Sequence, residues 1–187
     1  MEQFVLIQKA EEKKHTSPII LVHGSWGSSL MWMNYVQFLS KKGWDVYAPD
    51  LRGHGKSKGS VAGSTMGDYV ADVIRAITEN KLENPIVIGH SMGGLVGLMY
   101  AAFHGAQAVV AIDPSPTKEV RGGGEKKEYP AEYSPMDAGM PSDPMEIMRV
   151  FPDISQETLM QLKNMLGMES QYRKKSCPCR HYLLEEN

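Results

Sequence analysis

The chain has 187 residues, 42% of them apolar and 22% charged, with a formal net charge of −2. That length suits a single domain with a substantial core, and the near balance of charge leaves no electrostatic footprint for nucleic acid or an anionic membrane. No apolar run approaches the ~20 residues needed to span a bilayer. The short run Phe4–Ile7 follows Glu2 and lacks a small-residue cleavage site, so it does not read as a secretory signal. Cys177 and Cys179 flank a single proline, a spacing that seldom closes a disulfide and a pair too small for a zinc site. The expected setting is reduced and cytoplasmic.

In chain order, "FVLIQ" (4–8) is a first apolar run and "EEKKHTSP" a polar turn after it. "IILV" (19–22), "DVYAP" (45–49), "PIVIG" (85–89) and "AVVAID" (108–113) are short, nearly continuous and bounded by Gly, Pro or Asp. Each is expected as a buried strand. Between them, Trp32, Tyr35, Val36 and Leu39 fall on one helical face, with Gly43 placed to end that helix. Met66, Tyr69, Val70, Val73 and Ile77 repeat the pattern, and Thr65 with Asp68 forms a capping box at the start. Strands alternating with helices predict an α/β fold: a mostly parallel, doubly wound sheet with helices on both faces.

The pattern changes after Pro114. "SPTKEVRGGGEKKEYPAEYSP" is rich in Gly, Pro and charge and has no period, which predicts a long surface excursion. Asp143-Pro144-Met145-Glu146 reads as a helix start, with Ile147, Met148 and Phe151 as its apolar face. Leu159, Leu162, Met165 and Leu166 supply a second helix. The expected organisation is therefore a core over 1–116, an excursion with a partial helical cap over 117–175, and an irregular tail over 176–187.

Gly89-His90-Ser91-Met92-Gly93 fits G-x-S-x-G between a strand and a helix. A sharp turn there crowds the residues around the serine, so they must be small. It lifts the hydroxyl off the sheet and aims a helix N-terminus at developing negative charge. "LVHG" with "SWGSS" (21–29) ends another strand in a loop of small residues, able to offer a backbone N–H to an oxyanion. "PDLRGHGKS" (49–57) follows the next strand.

These three stretches, in this order and spacing, resemble the α/β-hydrolase superfamily from about Ile19 to Pro114. "HGSWGSSLMW" with "GHSMGG" is most similar to its small esterases and lipases, including monoacylglycerol-lipase-like and methyl-ester-hydrolysing branches. The resemblance implies a serine hydrolase that cleaves a carboxylic ester through an acyl-enzyme, with a helical cap after the family's sixth strand. It implies Ser91 as nucleophile and the backbone N–H groups of Ser25 and Met92 as the oxyanion hole, with Trp26 the alternative donor. It implies no metal or organic cofactor, because oxyanion hole and general base carry the chemistry. Branches with an aspartate nucleophile are disfavoured, because Ser91 holds that position.

The family order of serine, acid and histidine places the base after Ser91. His15, His23, His54 and His90 precede it; His23 and His54 are expected to hold their loops by hydrogen bonds, and the His90 side chain to point away from Ser91. His104 lies ~20 Å along the following helix. That leaves His181 as the candidate base and Asp113 as the candidate acid, against the competing readings of a solvated tail histidine and a strand-ending turn. The tail reading is favoured, so His181 is expected beyond hydrogen-bond reach of Ser91 and ester hydrolysis slow or absent. "KKSCPCRHYLLEEN" is not the apolar strand the family places here. The expectation is a chain truncated relative to its family, or altered in frame over its last dozen residues. Two other readings stay open: a non-catalytic remnant binding a small apolar ligand, and another reaction on the same fold, such as cofactor-free haloperoxidation. "AVVAID" would be left as an open sheet edge through which the chain self-associates.

Overall fold

The computed structural model describes residues 1–117, 120, 129–141, 143–150, 152, 155, 157, 159, 160, 169 and 170. Its elements are β1 (Val5–Gln8), β2 (Ile19–Val22), a 3-10 turn (Ser29–Trp32), α1 (Met33–Lys41), β3 (Val46–Pro49), α2 (Met66–Glu79), β4 (Ile86–His90), α3 (Met92–His104) and β5 (Ala108–Ile112). Beyond the core come β6 (Glu132–Tyr133), α4 (Pro144–Val150) and β7 (Glu169–Ser170).

The main sheet has the order β1-β3-β2-β4-β5. Only β1 is antiparallel, Val5 facing Pro49 and Gln8 facing Val46; β3, β2, β4 and β5 run parallel. Parallel neighbours need a crossover, and α1, α2 and α3 supply the three. The chain steps from β2 to β3 on one side and returns across β2 to β4 on the other. Where the order reverses, the loops after β2 and β4 leave the C-terminal ends of adjacent strands toward opposite faces and open a crevice between them. The strand-to-helix turn at Ser91 stands at that crevice.

Helix α2 meets its sequence expectation. Met66, Tyr69, Val70, Val73 and Ile77 are all buried, and Thr65 and Asp68 form the reciprocal capping box, Thr65 Oγ1 accepting from the Asp68 amide while the Asp68 carboxylate accepts from the Thr65 amide. With α3 it covers one face of the sheet, in a cluster with Ile20, Val22 and Val87. The other face is covered at β2 and β3 by α1, where Ile19, Leu21, Val46 and Ala48 pack with Trp32 and Val36.

Two expectations are corrected. Tyr35, placed on the core face of α1, is 56% exposed, because α1 sits over β2 and β3 and Tyr35 faces the uncovered part of the sheet beside them. "AVVAID" was expected as a buried strand, yet along β5 exposed and half-buried residues alternate. A continuous apolar run marks a strand built for two covered faces, but cover has to come from other elements. Among the described residues, no strand pairs with the outer edge of β5.

In the cap, β6 and β7 form a two-residue antiparallel ladder, Glu132 opposite Ser170 and Tyr133 opposite Glu169. Asp143 caps α4 as the sequence indicated, its carboxylate accepting from the Met145 amide at 3.0 Å. Leu159 is buried; Phe151, Leu162, Met165, Leu166 and the tail 176–187 lie outside the described residues.

Candidate active site

Ser91 joins β4 to α3 with φ 53° and ψ −118°, a left-handed conformation that a residue with a side chain adopts only under constraint. The constraint is visible in the hydrogen bonds. The Ser91 amide donates to the Ile112 carbonyl at 2.9 Å, and the Ser91 carbonyl accepts from Gly94 at 3.0 Å and Ser115 at 2.9 Å. The small neighbours are required by space. A Cβ on Gly89 would lie 2.1 Å from the Gly93 carbonyl oxygen, and one on Gly93 only 2.2 Å from that of Val22. Either would push the elbow off the sheet.

The loop after β2 comes to the same end of the sheet. A Cβ built on Gly24 would stand 3.2 Å from the Ser91 Cβ, so the backbone of this loop passes directly beside the serine. Residues 24–27 form a turn closed by the Gly27 amide on the Gly24 carbonyl at 3.2 Å. Trp26, the third residue of the turn, has φ 60° while Ser25 does not have a positive φ. That is the type II pattern, which favours glycine where Trp26 stands and costs an L-residue about 1–2 kcal/mol. Met92 is the buried first residue of α3. Its amide is among the helix N–H groups that have no partner within the helix, at the positive end of the helix dipole.

Two side chains fix this loop. His23 is fully buried, its Nε2 accepting from the Leu51 amide at 3.1 Å; Nδ1 then carries the proton toward the Gly24 carbonyl, 2.8 Å away. Both ring nitrogens are occupied in holding the loop. Sequence reasoning missed the second, Asp50. Its buried carboxylate accepts from the Ser29 amide at 2.6 Å and the Lys56 amide at 2.8 Å, tying the loop after β3 to the 3-10 turn that follows the 24–27 turn. Gly55, with φ 52°, leaves room for it: a Cβ there would lie 2.2 Å from Asp50 Oδ2. The signal was present as an aspartate ending a strand, five residues before that glycine.

The other histidines fall as follows. The Nδ1 of His54 pairs with the Arg52 carbonyl at 2.9 Å. His15 stacks on Trp44 before β2, at the opposite end of the sheet from Ser91. His104 ends α3 and stacks on Tyr100. His90 lines a half-open cavity of about 210 Å3 with His23, Gly24, Met31, Trp32, Tyr35 and Ile112. Asp113 follows β5 directly, exposed and with φ 42°; the carbonyl of its neighbour Ile112 holds the Ser91 amide. His181 lies outside the described residues. Among the described residues no group of three or more His, Cys, Asp or Glu is arranged to hold a metal ion, and no helix is long and apolar enough to cross a membrane.

The family described as the alpha/beta hydrolase fold matches residues 17–171, and the chain belongs to it. A probable alcohol acetyltransferase of Saccharomyces cerevisiae is 40% identical over 100 residues, covering 50% of this chain and 28% of that protein. A non-heme haloperoxidase of Rhodococcus erythropolis is 38% identical over 92 residues, 49% of this chain and 34% of its own length. Among solved structures, a carboxylesterase of the thaumarchaeon Nitrososphaera gargenis matches with a TM-score of 0.55 and 31% identity, over 62% of this chain and 43% of that one. The enol-lactonase of Burkholderia xenovorans LB400 matches at 0.54 and 28%, over 60% and 43%. The chain thus spans about a third of these curated relatives and less than half of these structures.

Proposed function

We propose that the chain is a serine hydrolase of the esterase or lipase type. The observation that carries this reading is the left-handed Ser91 at a strand-to-helix turn with the Gly24 backbone against its side chain. Ser91 Oγ attacks the carbonyl carbon of a carboxylic ester, its proton passing to a base; the tetrahedral oxyanion is held by the backbone N–H groups of Met92 and Ser25, or Trp26. Collapse expels the alcohol and leaves an acyl-serine, which water hydrolyses to the acid. The candidate base is His181, outside the described residues, and the candidate acid is Asp113, which follows the strand beside the elbow. Relatives that bear the names carboxylesterase and enol-lactonase support ester chemistry on this fold.

The cavity lined by Met31, Trp32, Tyr35 and Ile112 favours a second reading, a remnant that binds a small apolar ligand without turning it over. One experiment separates the two. The chain is treated with a fluorophosphonate probe and assayed with a p-nitrophenyl ester, alongside S91A, H181A and D113N. The hydrolase reading expects labelling that S91A abolishes, and a loss of about 10²–10⁴-fold in H181A. Equal signals from the unaltered chain and S91A would leave the binding reading standing.

A further inference from the structure

Trp26 does something that the oxyanion reading does not require. Its indole N–H donates to the backbone carbonyl of Tyr133 in the cap strand β6 at 3.0 Å, and the two rings meet edge to face with centroids 5.7 Å apart. Tyr133 is fully buried and stacks on Tyr129 at 4.6 Å. The neighbouring Glu132 accepts from Ser60 Oγ at 3.0 Å and the Ala62 amide at 3.3 Å, a second fastening of the same strand. Strand β6 is therefore seated on the turn beside Ser91 through a residue that holds an unfavourable backbone conformation there.

The two facts belong together. A tryptophan in the glycine position of a type II turn is strained, and its unstrained alternative is type I, in which φ at that position is negative. Going from one form to the other turns over the Ser25–Trp26 peptide and carries the Trp26 N–H with it. Something must hold the less comfortable form, and the bond to β6 is placed to do so.

We propose that Trp26 is a positioning residue: seating the cap strand on its indole keeps the turn in its type II form and the oxyanion donors in place, so the site is assembled only when the cap is down. This rests on the serine hydrolase reading. With the Trp26 N–H as the donor beside that of Met92, an open cap releases Trp26, the Ser25–Trp26 peptide turns over, and the serine loses that donor; the Ser25 N–H, on the preceding peptide, stays in place. Substrate held under the cap would in this way complete its own oxyanion hole.

The test compares W26F with W26G in the full chain. Phenylalanine keeps the ring contact and the strain of positive φ but loses the N–H donor. Glycine loses the ring entirely yet favours the type II turn. Two quantities are read: the rate of fluorophosphonate labelling of Ser91, and hydrogen exchange at the amides of residues 132 and 133. Exchange is expected to quicken in both variants. Labelling is expected to fall on the order of tenfold in W26F, a fraction of the cost of deleting an oxyanion donor, and to fall less in W26G. Packing alone predicts the reverse order, since glycine removes more contact. Labelling lower in W26G than in W26F, or unchanged in both, overturns the coupling. Unchanged exchange at 132 and 133 in W26F overturns the clamp. If the unaltered chain labels no faster than S91A, the hydrolase reading falls and the coupling falls with it.

Discussion

Val87 in β4 and Val110 in β5 sit on adjacent strands and opposite faces of one sheet, and their surroundings differ sharply. Val87 is 0% exposed, under α2 and α3; Val110 is 46% exposed, and Ile112 beside it 39%. Both strands are short apolar runs of the same character. The difference lies in what was laid over them. On the α2–α3 face, helix and strand meet with backbone-close fit, the Gly97 Cβ position standing 3.0 Å from Val87 Cγ1. On the α1 face, cover ends at β2 and β3, and the opening beyond merges with the cavity at His90 and Ile112. The site stands at the border of the two. Its elbow helix is anchored in the closed region, while Asp113 and the far edge belong to the open one.

The largest effect is expected on the closed side, at Arg52. Its guanidinium reaches Asp72 through Nε and Nη2, both at 2.9 Å, and Asp68 through Nη1 at 2.8 Å. The Asp72 side chain is fully buried, and its hydrogen bonds to Arg52 hold the guanidinium pKa above its ordinary value. R52A removes the guanidinium fork and leaves the buried Asp72 carboxylate with the amide of residue 52 at 2.9 Å and with Arg75 at 3.3 Å. A loss of about 3–5 kcal/mol in denaturant unfolding is expected. R52K should recover only part, since an ammonium cannot reproduce the fork. A loss below ~1 kcal/mol would mean that the closed side is less closed than its burial suggests.

Next comes the direct comparison of the two valines. V87A removes two methyl carbons from a filled space and is expected to cost about 2 kcal/mol. V110A removes the same atoms from a half-exposed strand and should cost under about 1 kcal/mol. Equal losses in paired urea titrations would show that β5 is covered in solution.

Much of this was legible in the sequence, and the reasons for the exceptions are physical. Helix α2 could be read because its cap, its 3.6-residue period and its burial are all local to 65–79. The elbow could be read because Gly89 and Gly93 are dictated by contacts within a few residues and one neighbouring strand. The exposure of Tyr35 and β5 could not, because periodicity reports which face a residue occupies and never whether anything covers that face. Asp50 escaped for a related reason: a carboxylate at a strand end suggests a turn until the two amides it serves, 21 residues back and six ahead, are seen to converge on it.

The open side carries a smaller expectation. β5 has no charged residue between Gln107 and Asp113, and its outer edge offers a free ladder to another chain among the described residues. Antiparallel pairing with a second copy, centred on Val110, would set Gln107 opposite Asp113 and no like charges against each other. Five residues of ladder bury far less than the ~1,200 Å2 of a stable interface. Weak self-association is therefore expected, visible in sedimentation only toward high concentration, and removed by V110K with little loss of stability. A concentration-independent monomer before substitution would break the comparison from the open side.

The smallest effect is a pH dependence on the closed side. Burial acts most strongly on Asp68 and pushes its pKa up, but hydrogen bonds from the Thr65 hydroxyl and amide, with the charge of Arg52, outweigh it and leave the carboxyl below its ordinary value. A carboxyl lowered on folding contributes stability above its unfolded pKa of roughly 4. That contribution is lost as pH falls through the lower folded value, since the unfolded chain takes up the proton first. Asp68 is 38% exposed at its side chain, so solvent and salt screen the interaction and the effect stays small. D68N keeps an oxygen to accept from Thr65 while removing the charge. Its melting temperature should lie slightly below that of the unaltered chain near neutral pH, and the two should converge as the pH drops toward about 3. Added salt should narrow the gap at neutral pH in the same direction. A gap that stays constant from neutral to acid would show that the carboxylate acts here by its shape, as a helix cap, and that its charge contributes nothing to holding Arg52 over α2.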